Sequence, residues 1–306
     1  MSKDVAVLMG GWSSERDVSL VSGAAVAEAL RRGGYTVRVI DVDRDMGALL
    51  AALQPKPDVV FNALHGRFGE DGCIQGLLDI LAIPYTHSGV LASALAMDKP
   101  MAKHLFAAAG VPCARHVVVD REAAFAGKAM DPPYVIKPMN EGSSVGVHII
   151  LSNDDLARIR PNERPAADRV MVERYVPGRE ITVAVMGDRA LAVTEIRPRQ
   201  GFYDYSAKYT AGLADHLIPA PMPPEAYEAA MRYSVLAHQA LGCRGVSRSD
   251  LRYDDTKGGS GEIVLLEVNT QPGMTPLSLV PEQAQHVGID FTRLVAWMVE
   301  NAACDG

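Results

Sequence analysis

The strongest constraint on this chain is the pattern of its hydrophobic periods, which changes at Glu180. In the first hundred residues, short apolar runs alternate with stretches of helical spacing. Residues 5–9 form a continuous apolar run, the pattern of a strand buried on both faces. Residues 17–32 place Val18, Val21, Ala25 and Leu30 at helical spacing and stop at Gly33-Gly34, a C-terminal signal. Further strands are predicted over 35–40 and 58–64, with a helix over 46–53 between them. Strand, helix, strand, helix at this spacing implies a parallel sheet with helices on both faces.

Residues 1–96 are therefore expected to form a Rossmann-like N-terminal domain of α/β type. A helical stretch over 90–109, broken at Pro100 and closed by Gly110-Val111-Pro112, leads into a second unit over 97–177. There the pattern predicts strands over 134–137, 147–151 and 170–176, and a short helix over 154–160. From Glu180 the period becomes that of longer strands with hairpin-like connections, over 181–186, 191–196, 246–253 and 263–268. Amphipathic helices over 224–241 and 291–302 complete an α+β unit over 178–306. No internal repeat and no low-complexity segment interrupts this order.

A chain of 306 residues exceeds one ordinary domain, which agrees with several units sharing an interface. Its formal charge is −7, and no basic stripe interleaves with aromatic residues, so no nucleic-acid partner is expected. Cys73, Cys113, Cys243 and Cys304 lie far apart and form no CxxC pair, which favours reduced thiols over a zinc site or a disulfide framework. The apolar run near Met1 is too short for a signal peptide, and no stretch approaches the roughly 18 apolar residues of a membrane span. The expectation is a cytoplasmic protein with no membrane partner.

Two common phosphate motifs are absent. Gly10-Gly11 follows a strand without GxGxxG spacing, and no Walker-type loop ends in Lys-Ser or Lys-Thr. Lys137, however, ends an apolar strand and is followed at once by Glu141-Gly142-Ser143-Ser144-Val145-Gly146. Backbone N–H groups and hydroxyls of such a loop can fold over phosphate oxygens while the lysine supplies charge. A solvated surface turn explains this loop equally well.

The carboxylates near the C-terminus carry more. Arg248 and Asp250 are two apart on one predicted strand, and Glu267 and Asn269 two apart on the next, so each pair shares a sheet face. If the strands pair across the turn-rich 254–262 with residue 250 facing 267, residue 248 faces 269. Asp250, Glu267 and Asn269 then form one patch of hard oxygen donors, suited to Mg²⁺ shared with a polyphosphate. The alternative is a polar solvent face of the sheet. Between the halves, the 170–180 stretch offers a strand edge for an adenine, and Glu180 an acceptor for ribose hydroxyls; alone it reads as strand, Pro-Gly turn and strand.

Together these segments resemble the ATP-grasp superfamily and, within it, the D-alanine–D-alanine ligase family. The resemblance covers essentially the whole chain. It is carried by GGWSSERDVSL (10–20), ALHGRFGEDG (63–72), KPMNEGSSVG (137–146), FYDYSAKY (202–209) and LEVNTQPGMTPLSLVP (266–281). The implied fold is a Rossmann-like domain followed by the two-subdomain ATP-grasp fold. The implied ATP site comprises Lys99, Lys137, Glu173, Val176 and Glu180, with Lys208 near the phosphates and Ser143-Ser144 in a lid. Two Mg²⁺ ions, for which Mn²⁺ can stand in, are implied at Asp250, Glu267 and Asn269.

The resemblance also places the ammonium of a first D-alanine near Glu15 with His65 close by, and the carboxylate of a second at Ser278 and the Leu279 backbone. Tyr209 and Ser143 would join Glu15 in a hydrogen-bonded group, and Arg248 with the Gly273 N–H would cradle an oxyanion. From sequence alone His65 reads as an ordinary hydrogen-bonded loop histidine. The implied chemistry runs through an acyl phosphate to a dipeptide, behind a lid over 198–216, in a homodimer. Ser249, Arg174, the long 254–262 turn and the short 151–170 segment depart from the family pattern. Rival readings are a ligase with another second substrate such as D-lactate, disfavoured by Tyr209 where phenylalanine accompanies the ester, and a nucleotide-binding regulator without activity. A dehydrogenase rests only on the Rossmann-like start.

Overall fold

The computed structural model describes residues 2–142, 146–199 and 214–305. Ser143, Ser144, Lys208 and Tyr209 lie outside these described residues.

The first sheet is parallel, in the order β2-β1-β3, built from β1 (Asp4–Gly10), β2 (Thr36–Val42) and β3 (Val59–Asn62). Alternate residues of β1 feed two cores, as a twofold side-chain period requires. Val5 and Val7 pack with Val26 and Leu30 of α1 (Arg16–Arg32). Ala6 and Leu8 face the other way, toward Leu49 of α2 (Met46–Ala52) and Leu78 of α3 (Cys73–Ile80). Helices thus cover both faces, as the sequence pattern implied. The helix α3 has no counterpart among the sequence expectations.

The helical stretch over 90–109 is two helices, α4 (Val90–Met97) and α5 (Lys99–Ala108). They part at Asp98 rather than at Pro100. The Asp98 carboxylate accepts the Met101 N–H at 3.0 Å and caps α5, while Pro100 occupies the first turn, where a missing N–H costs nothing.

A second sheet is antiparallel, in the order β4-β7-β5-β6: β4 (His116–Asp120), β5 (Tyr134–Lys137), β6 (His148–Ile150) and β7 (Arg169–Arg174). Two short helices, α6 (Arg121–Phe125) and α7 (Asn153–Arg158), flank it, and Ser152 with Asp155 forms a capping box at α7.

The third sheet is also antiparallel, in the order β10-β9-β8-β11-β12. Its strands are β8 (Arg179–Met186), β9 (Arg189–Pro198), β10 (Ala214–Leu217), β11 (Val246–Tyr253) and β12 (Ile263–Asn269). Ile181 and Val183 of β8 pack on Ala230 and Ala237 of α8 (Pro224–Ala240) and on Phe106 of α5. Ala184 and Met186 face the opposite way, joining Val280 and Ala284 of α9 (Leu279–His286) and Leu294 and Met298 of α10 (Phe291–Glu300). That second core also contains Val5 and Leu30, so the first and third sheets share one hydrophobic interior. Truncating a side chain such as Leu30, fully buried there, would cost about 2–5 kcal/mol.

Ser249 of β11 is buried, with its hydroxyl unpartnered among the described residues. A buried hydroxyl without a partner costs about 1–3 kcal/mol. Ser249→Ala is therefore expected to raise stability by about 1 kcal/mol in urea unfolding, with the slope unchanged. A loss of stability would mean that the hydroxyl has a partner.

Candidate active site

Asp250 on β11 pairs with Glu267 on β12, and Arg248 with Asn269, a register one residue beyond the symmetric one that the 254–262 turn sets for Tyr253 with Ile263. The register shifts immediately after Asp250. Arg248, Asp250, Glu267 and Asn269 consequently line one cleft, bounded also by Lys99, Glu141 and Glu180. This is not a solvent face of the sheet.

The cleft carries dense charge. The Arg248 guanidinium donates to both carboxylate oxygens of Asp250, at 2.8 and 2.7 Å, and the Thr182 hydroxyl donates to the same carboxylate at 2.8 Å. Lys99 lies 3.4 Å from Glu267 and donates to the Glu141 carbonyl at 2.6 Å, which ties α5 to the loop after β5. The Asn269 amide oxygen accepts the Gln271 N–H at 2.7 Å. Two carboxylates and a carboxamide are hard donors, and their common face fits Mg²⁺ shared with substrate oxygens. Among the described residues no three His, Cys, Asp or Glu side chains gather as a closed metal cage.

On one side the cleft runs beneath β5 and β7. Lys137, Glu173, Val176 and Glu180 line this part, with Val135 and Leu266 supplying apolar walls. Glu173 is almost wholly buried, with one carboxylate oxygen 2.6 Å from the Lys137 ammonium and the other against Lys103. Burial pushes its carboxyl up, but Lys137 and then Lys103 together hold it below the usual range. The Arg252 guanidinium donates to the Val176 and Gly178 carbonyls at 3.0 and 2.9 Å and lies 3.7 Å from Glu180, fixing the link between the second and third sheets.

One expectation changes here. The 170–180 stretch does not present a strand edge, because β7 lies inside its sheet between β4 and β5. The link after Arg174, not the strand, carries backbone groups outside the ladders.

On the other side, Glu15, His65, Gly273, Ser278 and Leu279 line the same cavity as Arg248. Glu15 sits at the N-cap of α1. His65 is buried, with Nδ1 3.1 Å from Glu70 and Nε2 3.2 Å from the Ser22 hydroxyl, a hydrogen-bonded loop histidine at the cavity wall. Ser278 is the N-cap of α9 and Leu279 its first residue, which turns a helix N-terminus toward the cavity; such a terminus favours a carboxylate. The Ser278 hydroxyl accepts the Thr275 N–H at 2.9 Å.

Comparison with known proteins decides the family. Residues 105–300 match the family model for the D-Ala–D-Ala ligase C-terminus, and residues 47–88 the model for its N-terminus. A D-alanine–D-alanine ligase of Rhodospirillum rubrum is 61% identical over 307 residues, covering 100% of both chains. The chain belongs to the D-alanine–D-alanine ligase family. Its fold agrees with that of the Bacillus anthracis D-alanine–D-alanine ligase complexed with ATP, at TM-score 0.82 and 30% identity over 98% of this chain and 97% of that one. VanG, a D-Ala:D-Ser ligase from Enterococcus faecalis, superimposes with the same TM-score of 0.82 and 30% identity, covering 98% and 99%. Backbone shape is therefore common to ligases with different second substrates.

Within this ligase family member, several side chains at the cleft had no sequence signal strong enough to single them out. Lys103 had one: it stands four residues after Lys99 on α5 and so shares its face. Thr182 and Arg252 reach their partners only through tertiary contacts, and Glu70 meets His65 within one irregular loop.

Proposed function

We infer that this enzyme joins two D-alanine molecules into D-alanyl-D-alanine, with ATP converted to ADP and phosphate, as a step in peptidoglycan precursor synthesis. The observation that carries this reading is the shared cleft. Carboxylates for a metal-bound triphosphate, a guanidinium and a helix N-terminus lie around one cavity on which Glu15 and His65 also border.

In this reading the adenine and ribose lie along Val176 and Glu180, beside the buried Glu173, with the triphosphate toward Lys137 and Lys99. Ser144 and Lys208 complete the nucleotide site. Glu15 holds the ammonium of the first D-alanine beside His65. A carboxylate oxygen of that D-alanine bonds to the γ-phosphorus as the bond to ADP breaks, giving an acyl phosphate. Asp250, Glu267 and Asn269 would hold two Mg²⁺ ions, whose charge offsets that of the phosphoryl oxygens. Ser278 and the Leu279 N–H hold the carboxylate of the second D-alanine. Its amine, after losing a proton, attacks the acyl carbon, and Arg248 with the Gly273 N–H stabilises the tetrahedral oxygen until phosphate departs. Ser143 and Tyr209 act with Glu15 in orienting the reactants. Exclusion of water protects the acyl phosphate from hydrolysis.

The units over 1–96, 97–177 and 178–306 are proposed as its domains, a homodimer as its assembly and the cytoplasm as its location. No helix among the described residues is long and apolar enough to cross a membrane. The test is phosphate release with ATP and D-alanine alone, then with D-lactate added, and with products identified. The expected result is one dipeptide per ADP and no ester. Ester formation would assign another second substrate, and ATP binding without D-alanine-dependent turnover would assign a regulator.

A further inference from the structure

Lys103 is the largest buried charge outside the residues assigned above. Its side chain has no exposed surface, and it joins three elements: it lies in α5, meets Glu173 of β7 and donates to the Leu265 carbonyl of β12 at 3.1 Å. Glu173 offers its second oxygen to Lys137, whose ammonium borders the nucleotide part of the cleft. Two ammonium groups thus share one carboxylate in an interior where charges interact strongly. The trio carries a net charge of one positive unit, and Lys137 is the member at the cavity wall.

We propose that Lys103 is a positioning residue that sets the charge of this wall. By drawing on half of Glu173, it leaves Lys137 incompletely neutralised and able to attract a polyphosphate. The proposal rests on the reading of this cleft as a nucleotide site. His116 and Cys113 lie close enough to feel the Lys103 charge, and burial favours the neutral form of each, pushing the imidazole down and the thiol up.

Charge counting separates this role from simple packing. In Lys103→Met, Glu173 pairs with Lys137 alone and the wall becomes neutral. In the double variant Lys103→Met with Glu173→Gln, Lys137 stands unopposed and the single positive unit returns. ADP and ATP binding, measured by calorimetry at two salt concentrations, should weaken about tenfold in Lys103→Met, with a shallower salt dependence. Part of that loss, and the parent's salt dependence, should return in the double variant, in which Glu173→Gln also changes the lining of the cleft. Lys103→Arg, which keeps the charge, should bind as the parent does and serves if Lys103→Met does not fold. In that case Lys103→Gln replaces it in both arms. Unchanged nucleotide binding in the neutral variant, or weaker binding in the double variant than in the single, overturns the proposal. Absence of nucleotide binding by the parent would instead overturn the reading of the cleft.

Discussion

Arg248→Ala is expected to lower kcat by about 100- to 1,000-fold while changing ATP affinity by less than about tenfold. The reason is that a preorganised donor to a tetrahedral oxygen acts only in the transition state, where such a donor contributes roughly 3–4 kcal/mol. In the structure the guanidinium is held by a two-pronged pair with Asp250 and borders the cavity with Glu15, Gly273 and Ser278. That pair fixes its plane. Arg248→Lys keeps a charge but not the fork, and should recover only part of the loss. Nucleotide affinity is the discriminating measurement. If it falls in proportion to kcat, the guanidinium serves the Asp250 carboxylate and not the reacting carbonyl.

Glu173→Gln is expected to cost about 3–5 kcal/mol of stability, the usual penalty for removing one partner from a buried charge group. Both lysines would then lose their carboxylate, and Lys103 has no route to solvent from its buried position. The same group predicts a pH dependence. The folded-state pKa of Glu173 lies below its ordinary 4.5, so the folded protein holds the proton less tightly than the unfolded chain does. Its contribution is therefore complete above about pH 4.5 and is lost as pH falls through the depressed value. Urea midpoints measured for the parent and Glu173→Gln should converge on acidification below pH 4.5. A constant gap between them would remove ionised Glu173 from the account.

The elements that sequence made legible are those with a strong period. Residues 134–137 and 246–253 appear as strands with the predicted bounds, whereas the pairing of Asp250 with Glu267 depends on a register shift after Asp250 that symmetry of the short antiparallel connection does not supply. What stayed hidden has local causes. The helix Cys73–Ile80 begins after Gly72, whose φ of 94° places it in the left-handed region, and a Cβ there would meet the Val90 carbonyl at 2.8 Å. The segment before it, with glycines at 66, 69 and 72, reads as loop. Helix Leu279–His286 carries Pro281 in its first turn, which the structure tolerates and sequence reads as a break.

At the site, Arg248, Asp250, Glu267 and Asn269 were visible because two-residue spacing on a strand fixes a common face, and Lys137 because it ends an apolar strand before a Gly/Ser loop. The partners that orient them were not. Lys103 and Leu265 are 162 positions apart, and Thr182 and Asp250 are 68 apart, so neither contact leaves a local pattern. The interior position of β7 was equally hidden, since strand order is a tertiary fact that no single strand encodes.

The account stands most directly on where a triphosphate binds. A crystal structure with a non-hydrolysable ATP analogue, Mg²⁺ and D-alanine should show phosphates between Lys137 and the β11–β12 carboxylates, with ions about 2.0–2.1 Å from Asp250 and Glu267 oxygens. A nucleotide bound elsewhere, with Asp250 and Glu267 still held by Arg248 and Lys99 and no ion beside them, would contradict it.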